Sequence, residues 1–170
     1  MEENFNEISV ENIKDNVFNL IDKDWMLITA GTIDDFNAMT ASWGSLGILW
    51  HKPVAFCFVR PNRHTYGFME KNEYFTLSFY PEKHRKILEF CGTKSGRNVD
   101  KIKETGLLPV KGVTGAVYFD QARLVLECRK IYYQDLDPQK FLDSEIHKNY
   151  PINDYHRMYI GEVLRCMINQ

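Results

Sequence analysis

Neither sign of charge is in excess in this 170-residue sequence: 21 Lys and Arg stand against 23 Asp and Glu, a net charge of −2. That balance excludes a nucleic-acid groove or an anionic membrane surface as the main partner. The longest unbroken apolar run, Val54–Val59, falls far short of the ~18–20 residues a membrane span requires. Cysteine is scarce. Cys57, Cys91, Cys128 and Cys166 form no C-x-x-C pair and no Cys/His ladder at zinc-ligand spacing. Cys57, Cys128 and Cys166 lie in apolar or strand-like runs and read as reduced thiols acting as small hydrophobes in a reducing compartment. The opening Met1-Glu2-Glu3-Asn4 is unlike a signal or transit peptide, so a cytoplasmic protein is expected. A strand–G-x-G-x-x-G–helix unit, a P-loop and a G-x-S-x-G elbow are all missing, which sets aside a Rossmann fold, a P-loop nucleotide site and serine acyl transfer. His51, His64, His84 and His147 lack metal-ligand spacing and read as surface or hydrogen-bonded histidines, and no metal is expected.

What the sequence does have is enough apolar surface, 44% hydrophobic and 14% aromatic, to bury a core without disulfide or metal staples. No repeat or linker divides it, so residues 1–170 read as one domain with a helical lead-in over 1–22. Val10, Ile13, Val17, Leu20 and Ile21 form an i, i+3, i+4 stripe that predicts a short amphipathic helix with Ser9 available as cap. Strand-like runs rich in aromatic and β-branched residues follow at 25–32, 37–43, 53–59 and 74–79, punctuated by Asp34-Asp35, Gly44–Gly47 and Asn72-Glu73. The middle turns helical, from Pro81 to Cys91 and again from Val99 to Thr105, before strand-like runs return at 116–119, 122–133 and 157–168. Strands at both ends with helices inserted between them predict a mainly β fold, an antiparallel barrel or sandwich.

Three segments could carry chemistry. In Asn37-Ala38-Met39-Thr40-Ala41-Ser42-Trp43, small residues alternate with an amide and hydroxyls, leaving room for a flat object whose polar rim those groups could meet. The same run also reads as an ordinary polar-faced strand entering a turn. Arg60-Pro61-Asn62-Arg63-His64-Thr65 follows the most apolar run and suits an oxyanion such as phosphate, because arginine offers a planar fork of charged donors. The bland alternative is a solvated basic turn. Ser95-Gly96-Arg97-Asn98-Val99-Asp100-Lys101 opens a short helix, where free N–H groups favour anions and Lys101 adds a mobile charge; alternatively it is a plain N-cap. His156, just before the last strand, is the best placed of the histidines.

In this order, the three segments resemble the flavin reductase-like, FMN-binding split-barrel family, as do Trp25–Thr32 at the front and His156–Val163 at the end. The likeness spans roughly residues 20 to 168. It implies a six-stranded antiparallel split β-barrel of Greek-key type, forming a homodimer with FMN near the subunit interface. By the same resemblance the strand carrying Asn37, Met39, Thr40, Ala41, Ser42 and Trp43 would line the isoalloxazine, with Asn37, Thr40 and Ser42 at its polar edge and Trp43 near the phosphate or ring edge. Arg63 and Thr65 would bind the phosphate with Arg60 close by, and Ser95, Gly96 and Lys101 would complete the phosphate and ribityl side. His156 matches a position near the flavin or the nicotinamide approach. Asn98 stands where the family more often has Asp. The implied activity is an NADH- or NADPH-dependent flavin reductase, passing electrons to a monooxygenase or another acceptor. The alternatives are a flavoredoxin-like FMN electron carrier and a haem or other planar-ligand module on a related scaffold.

Overall fold

Burial on both faces of the central strands decides the architecture. In the computed structural model, which describes residues 4–169, the first six strands are β1 (Phe5–Ile8), β2 (Met26–Thr32), β3 (Asp35–Ala41), β4 (Gly44–Leu49), β5 (Lys52–Val59) and β6 (Tyr74–Phe79). Then come β7 (Pro109–Lys111), β8 (Val117–Phe119), β9 (Leu124–Asp135) and β10 (Arg157–Asn169). The helices are α1 (Val17–Asn19), α2 (His64–Lys71), α3 (Arg85–Thr93) and α4 (Lys101–Thr105). Eight strands form one antiparallel sheet in the order β3-β2-β6-β9-β10-β5-β4, with β1 paired to the far end of β10; β7 and β8 form a separate ladder.

The two ends of that order, β3 and β4, are consecutive in the chain and joined only by Ser42 and Trp43. The sheet must therefore curl until its first and last strands meet at that link. No ladder joins them, so the barrel stays split along the seam.

Inside the curl, Met26, Ile28 and Ala30 of β2 pack with Phe75, Leu77, Leu126 and Tyr159. The residue between two of them, Leu27, faces the other way, into a second core made with Leu88 and Cys91 of α3 and with Tyr118 and Phe119 of β8. Strand β2 is thus covered on both faces, which explains its nearly unbroken apolar run. All four cysteines are free and buried, and burial pushes the Cys57 thiol up to about 12, in keeping with thiols that serve as small hydrophobes. Among the described residues, no helix is long and apolar enough to cross a membrane.

Six of the expected runs supply β2, β3, β5, β6, β9 and β10, the six strands of the anticipated split barrel; β1 and β4 enlarge the sheet. The run at 116–119 is β8, which lies outside the barrel sheet. The lead-in differs from a single helix over Val10–Ile21. Asn16 is extended, and its side chain accepts from the N–H groups of Phe18 and Asn19, so helix begins only at Val17 and passes into a π-helical turn at Leu20–Asp24. Val10 and Ile13 still pack on the core from a 3₁₀ turn and an extended stretch. The Gly44–Gly47 stretch, expected as a bend, is strand β4. A Cβ at Gly44 would stand 2.6 Å from the Phe56 carbonyl oxygen, so only glycine allows the approach to β5. The β4–β5 hairpin turns on Trp50 and His51, both at positive φ (53° and 59°).

Candidate functional site

Strand β5 ends in a tight turn, with Arg63 N–H donating to Arg60 O at 3.0 Å, and α2 starts at once. Arg63 is the N-cap residue, and no side chain caps the helix. Asn37 of β3 reaches this first turn: its Nδ2 donates to Thr65 Oγ1 at 2.7 Å. Its Oδ1 lies so near Gly96 that a Cβ there would come within 2.1 Å of it. One side chain thus gathers β3, α2 and the loop that contains Gly96. Lys101 does the same from α4, its buried ammonium donating to Ala38 O at 2.7 Å and Cys91 O at 2.9 Å.

The electrostatics are lopsided. Arg63 donates to Gly92 O and Arg97 to Asn62 O, at 2.9 and 3.0 Å. Among the described residues, no carboxylate pairs with Arg63, Arg97 or Lys101. Burial lowers the Lys101 pKa to about 8, against an opposing pull from Cys91, and Arg63 adds a smaller push downward. Arg63 is lowered by burial and then by Arg60, and His64 by burial and then by Arg97 and Lys101, against a smaller pull from Asp35. The cluster repels itself, which is the state an anion relieves.

These groups line a cleft of about 390 Å³ that includes Asn37, Met39, Thr65, Ser95 and Gly96. A second cleft, about 220 Å³, shares Met39 and Arg63 with it and is walled by Thr40, Ala41, Ser42, Trp43, Phe58, Arg60 and His156. The Trp43 and His156 rings stand 5.0 Å apart at 53°, and Phe58 meets His156 edge-on at 6.4 Å. The result is one bent groove, cationic at one end and aromatic at the other.

All thirteen residues singled out in the sequence border this groove, but several are placed otherwise than expected. Arg60 is committed elsewhere: it pairs with Asp154 Oδ2 and Asn149 O, both at 2.9 Å, so its donors are engaged although its charge is still felt by Arg63 and His156. Thr40 gives its hydroxyl to Leu88 O at 2.5 Å, which holds α3 in place. Ser95 and Gly96 do not open a helix. Helix α4 begins at Lys101 and is capped by Asp100, whose carboxylate accepts from Ile102 and Lys103 N–H, leaving no open anion site there. Ser95 Oγ instead accepts from Arg97 N–H within the loop. Lys101 is not a mobile surface charge but a buried one.

Sequence reasoning missed His64, Arg97 and Phe58 as wall residues, and Tyr150 and Asp154 behind the wall. His64 adjoins Arg63, and Phe58 lies on the outward period of β5, so both had a local signal. Tyr150 and Asp154 sit in a loop with none. Burial, with Arg60 acting in the same direction, lowers the His156 pKa to about 4, against a weaker pull from Asp154.

Over residues 20–170 the sequence matches the flavin reductase-like domain, and the chain belongs to that family. Solved structures share its fold. Flavoredoxin of Desulfovibrio vulgaris (Miyazaki F) is 22% identical over 86% of this chain and 69% of that one, with a TM-score of 0.68. An FMN-binding domain of a flavin reductase-like enzyme from Shewanella baltica OS155 is 15% identical over 98% and 78%, with a TM-score of 0.70. The NADH:FAD oxidoreductase of Streptomyces globisporus C-1027, solved in complex with NAD and FAD fragments, is 18% identical over 85% and 74%, with a TM-score of 0.65. No curated protein matches the chain.

The unfolded chain protonates His156 near pH 6.5, the folded chain only near pH 4, so the unfolded state binds the extra proton between those values. Stability from this group is complete above pH 6.5 and is lost as pH falls toward 4. Denaturant titrations of the wild type and of His156→Gln should therefore show their stability difference shifting by roughly 1–2 kcal/mol across that window, after allowance for solvent screening. A difference independent of pH would show that His156 does not titrate in this way.

Proposed function

We propose that the chain binds FMN and acts as an oxidoreductase that accepts hydride from NADH or NADPH. The observation that carries this reading is the convergence of Arg63, Arg97 and Lys101, with no carboxylate in the lining, on one end of a groove whose other end is aromatic. A phosphomonoester of about −1.5 to −2 charge fits the first end. The ring fits the second, where Ala41 and Ser42 keep the wall low beside Trp43.

Arg63 and Lys101 would hold the phosphate by charge. Thr65, whose oxygen already accepts from Asn37, keeps its hydroxyl proton for an acceptor. Ser42 would meet the polar edge of the ring, while Thr40 acts indirectly by fixing α3. Bound FMN supplies the two-electron chemistry. The protein's own work is orientation: Trp43 and His156 form the wall along which a nicotinamide would approach, and no acid–base residue is required. Electrons would pass on to a monooxygenase or another acceptor. Family membership and the likeness to an NADH:FAD oxidoreductase support this reading; the comparable, slightly higher likeness to a flavoredoxin favours an electron carrier as the second one. A haem-binding role finds no support in the family.

A homodimer is part of the proposal. Phe18, Trp43, Ile48 and Trp50 stand exposed along α1, the seam, the sheet-edge strand β4 and its turn, and α1 and β4 border a common apolar cleft. An uncovered edge strand with such residues is a surface that a second copy would shield.

Three measurements test these points. Arg63→Ala should weaken FMN binding by about 1.5–3 kcal/mol in calorimetric titration, the worth of a hydrogen bond to a charged group; unchanged affinity would remove Arg63 from the phosphate site. In stopped-flow mixing, NADH or NADPH should bleach the bound flavin within seconds, whereas indifference to both nucleotides selects the electron carrier. Sedimentation should find a dimer that Ile48→Lys converts to monomer, and a wild-type monomer would refute the interface.

A further inference from the structure

The connection from β9 to β10, residues 136–156, has no strand and no α-helix, only 3₁₀ turns at Pro138–Lys140 and Ser144–Asn149. It is nevertheless firmly docked. Arg60 bonds Asn149 O and Asp154 Oδ2 and lays its guanidinium 5.1 Å from the centre of the Tyr150 ring. Asn62 Nδ2 adds a bond of 3.0 Å to the same Asp154 oxygen. Around Tyr150, the rings of Phe141, Tyr155 and His156 close in at 6.1, 4.9 and 5.5 Å.

Tyr150 is buried, and its hydroxyl has one side-chain partner among the described residues, His156 Nδ1 at 2.8 Å. A phenol has one proton to give, and a neutral imidazole has one nitrogen that donates and one that accepts. Were Nδ1 the protonated nitrogen, the buried phenol hydrogen would have no acceptor, the costly case for a buried donor. With Nδ1 as acceptor, both groups are satisfied. Burial keeps the ring neutral, with Arg60 and Arg63 opposing a second proton more than Asp154 favours it. The ring's single proton then falls on Nε2. That nitrogen has no partner among the described residues, and the ring lines the aromatic end of the groove.

We infer that Tyr150 is a positioning residue that fixes His156 as the Nε2–H tautomer, so that the ring offers a lasting neutral donor to a carbonyl oxygen of the ligand in this groove. Only the ligand's identity rests on the flavin reading; the tautomer does not. A neutral donor suits a carbonyl, as the charge of Arg63 suits a phosphate. The carbonyl could belong to the flavin ring or to the carboxamide of a nicotinamide, and the experiment separates the two.

Long-range proton–nitrogen correlation spectra of the ligand-free chain, labelled with 15N-histidine, read the tautomer directly at pH 7. The expected result is a pyrrole-type Nε2 and a pyridine-type Nδ1 on His156 in the wild type. Tyr150→Phe, which keeps the ring among its aromatic neighbours, should show a mixture of both tautomers. A pyrrole-type Nδ1 in the wild type overturns the inference whatever the ligand. The second arm is a double-mutant cycle with His156→Gln, whose amide can donate from near the Nε2 position regardless of tautomer. Tyr150→Phe should weaken ligand binding about threefold to tenfold beside His156, the worth of a neutral hydrogen bond, and leave it nearly unchanged beside Gln. Equal losses in both backgrounds would reduce Tyr150 to packing and overturn its positioning role. A loss in FMN titration assigns the carbonyl to the flavin; a higher KM for NADH with FMN affinity intact assigns it to the carboxamide. No change in either overturns the donor role. A chain that takes up no FMN at all would sink the proposed function while leaving the tautomer result standing.

Discussion

Lys101 keeps its ammonium away from water between the carbonyls of Ala38 on β3 and Cys91 on α3, 2.7 and 2.9 Å away. Removing a charge from water costs several kcal/mol unless its protons are satisfied. Two of the three are; the third has no carboxylate to meet. The same side chain holds α4 and α3 against the strand that forms one wall of the groove, so the shape of the cleft and its charge share one origin. An anion bound beside it would satisfy the remaining donor and relieve the repulsion from Arg63, and any ligand that binds only the folded state stabilises that state. Folding and occupancy are therefore coupled at this point.

Charge is distributed along α2 in a way that follows the same logic. Toward its C-terminal end Glu70 accepts from Arg157 at 2.8 Å and from the Tyr159 hydroxyl, and Arg157 also forks onto Asp135 at 2.6 and 2.8 Å between the rings of Tyr66 and Tyr133. Acidic partners are plentiful there. At the N-terminal end Arg63 and His64 face the cleft with no carboxylate bonded to either, and only a weak pull from Asp35 acts on His64. The helix is bolted at one end and left electrostatically unsatisfied at the other, and the bolt sets the direction in which the unsatisfied end points. A net charge of −2 for the whole chain hides this polarity completely.

Much of this was legible in the residues themselves. The six barrel strands announce themselves through β-branched and aromatic runs, and the three chemistry-bearing segments do meet in one groove. What escaped has physical reasons. Helix α2 is short, carries Gly67 and β-branched or aromatic residues, and stands by burying Thr65 and Met69 and by the Glu70–Arg157 pair rather than by its propensity. Strand β4 contains two glycines and ends in a turn made by Trp50 and His51, not by the Asn-Gly pair that usually marks a hairpin. Strand β1 exists only because β10 is there to pair with it; Phe5 faces Asn169, and no local pattern encodes a partner so distant. Asp154 is 94 residues from Arg60. Reading Arg60 as a phosphate ligand was reasonable from its neighbours and could be corrected only by contact across the fold.

The Arg60–Asp154 pair gives the turn after β5 a second task. Arg60 and Asn62 both reach Asp154 and hold the 136–156 connection, while Arg63 turns the other way, to Gly92 and the cationic end of the groove. Four consecutive residues thus divide two tasks between them. By docking the connection, Arg60 brings Tyr150 and His156 to the aromatic end of the groove that Arg63 shares. Tying the donors of one arginine to the connection is therefore not a loss to the site. It leaves the anion to cations that have no other charged partner, and it places an uncharged imidazole beside the ring end, where a second positive charge would compete with them for the same phosphate.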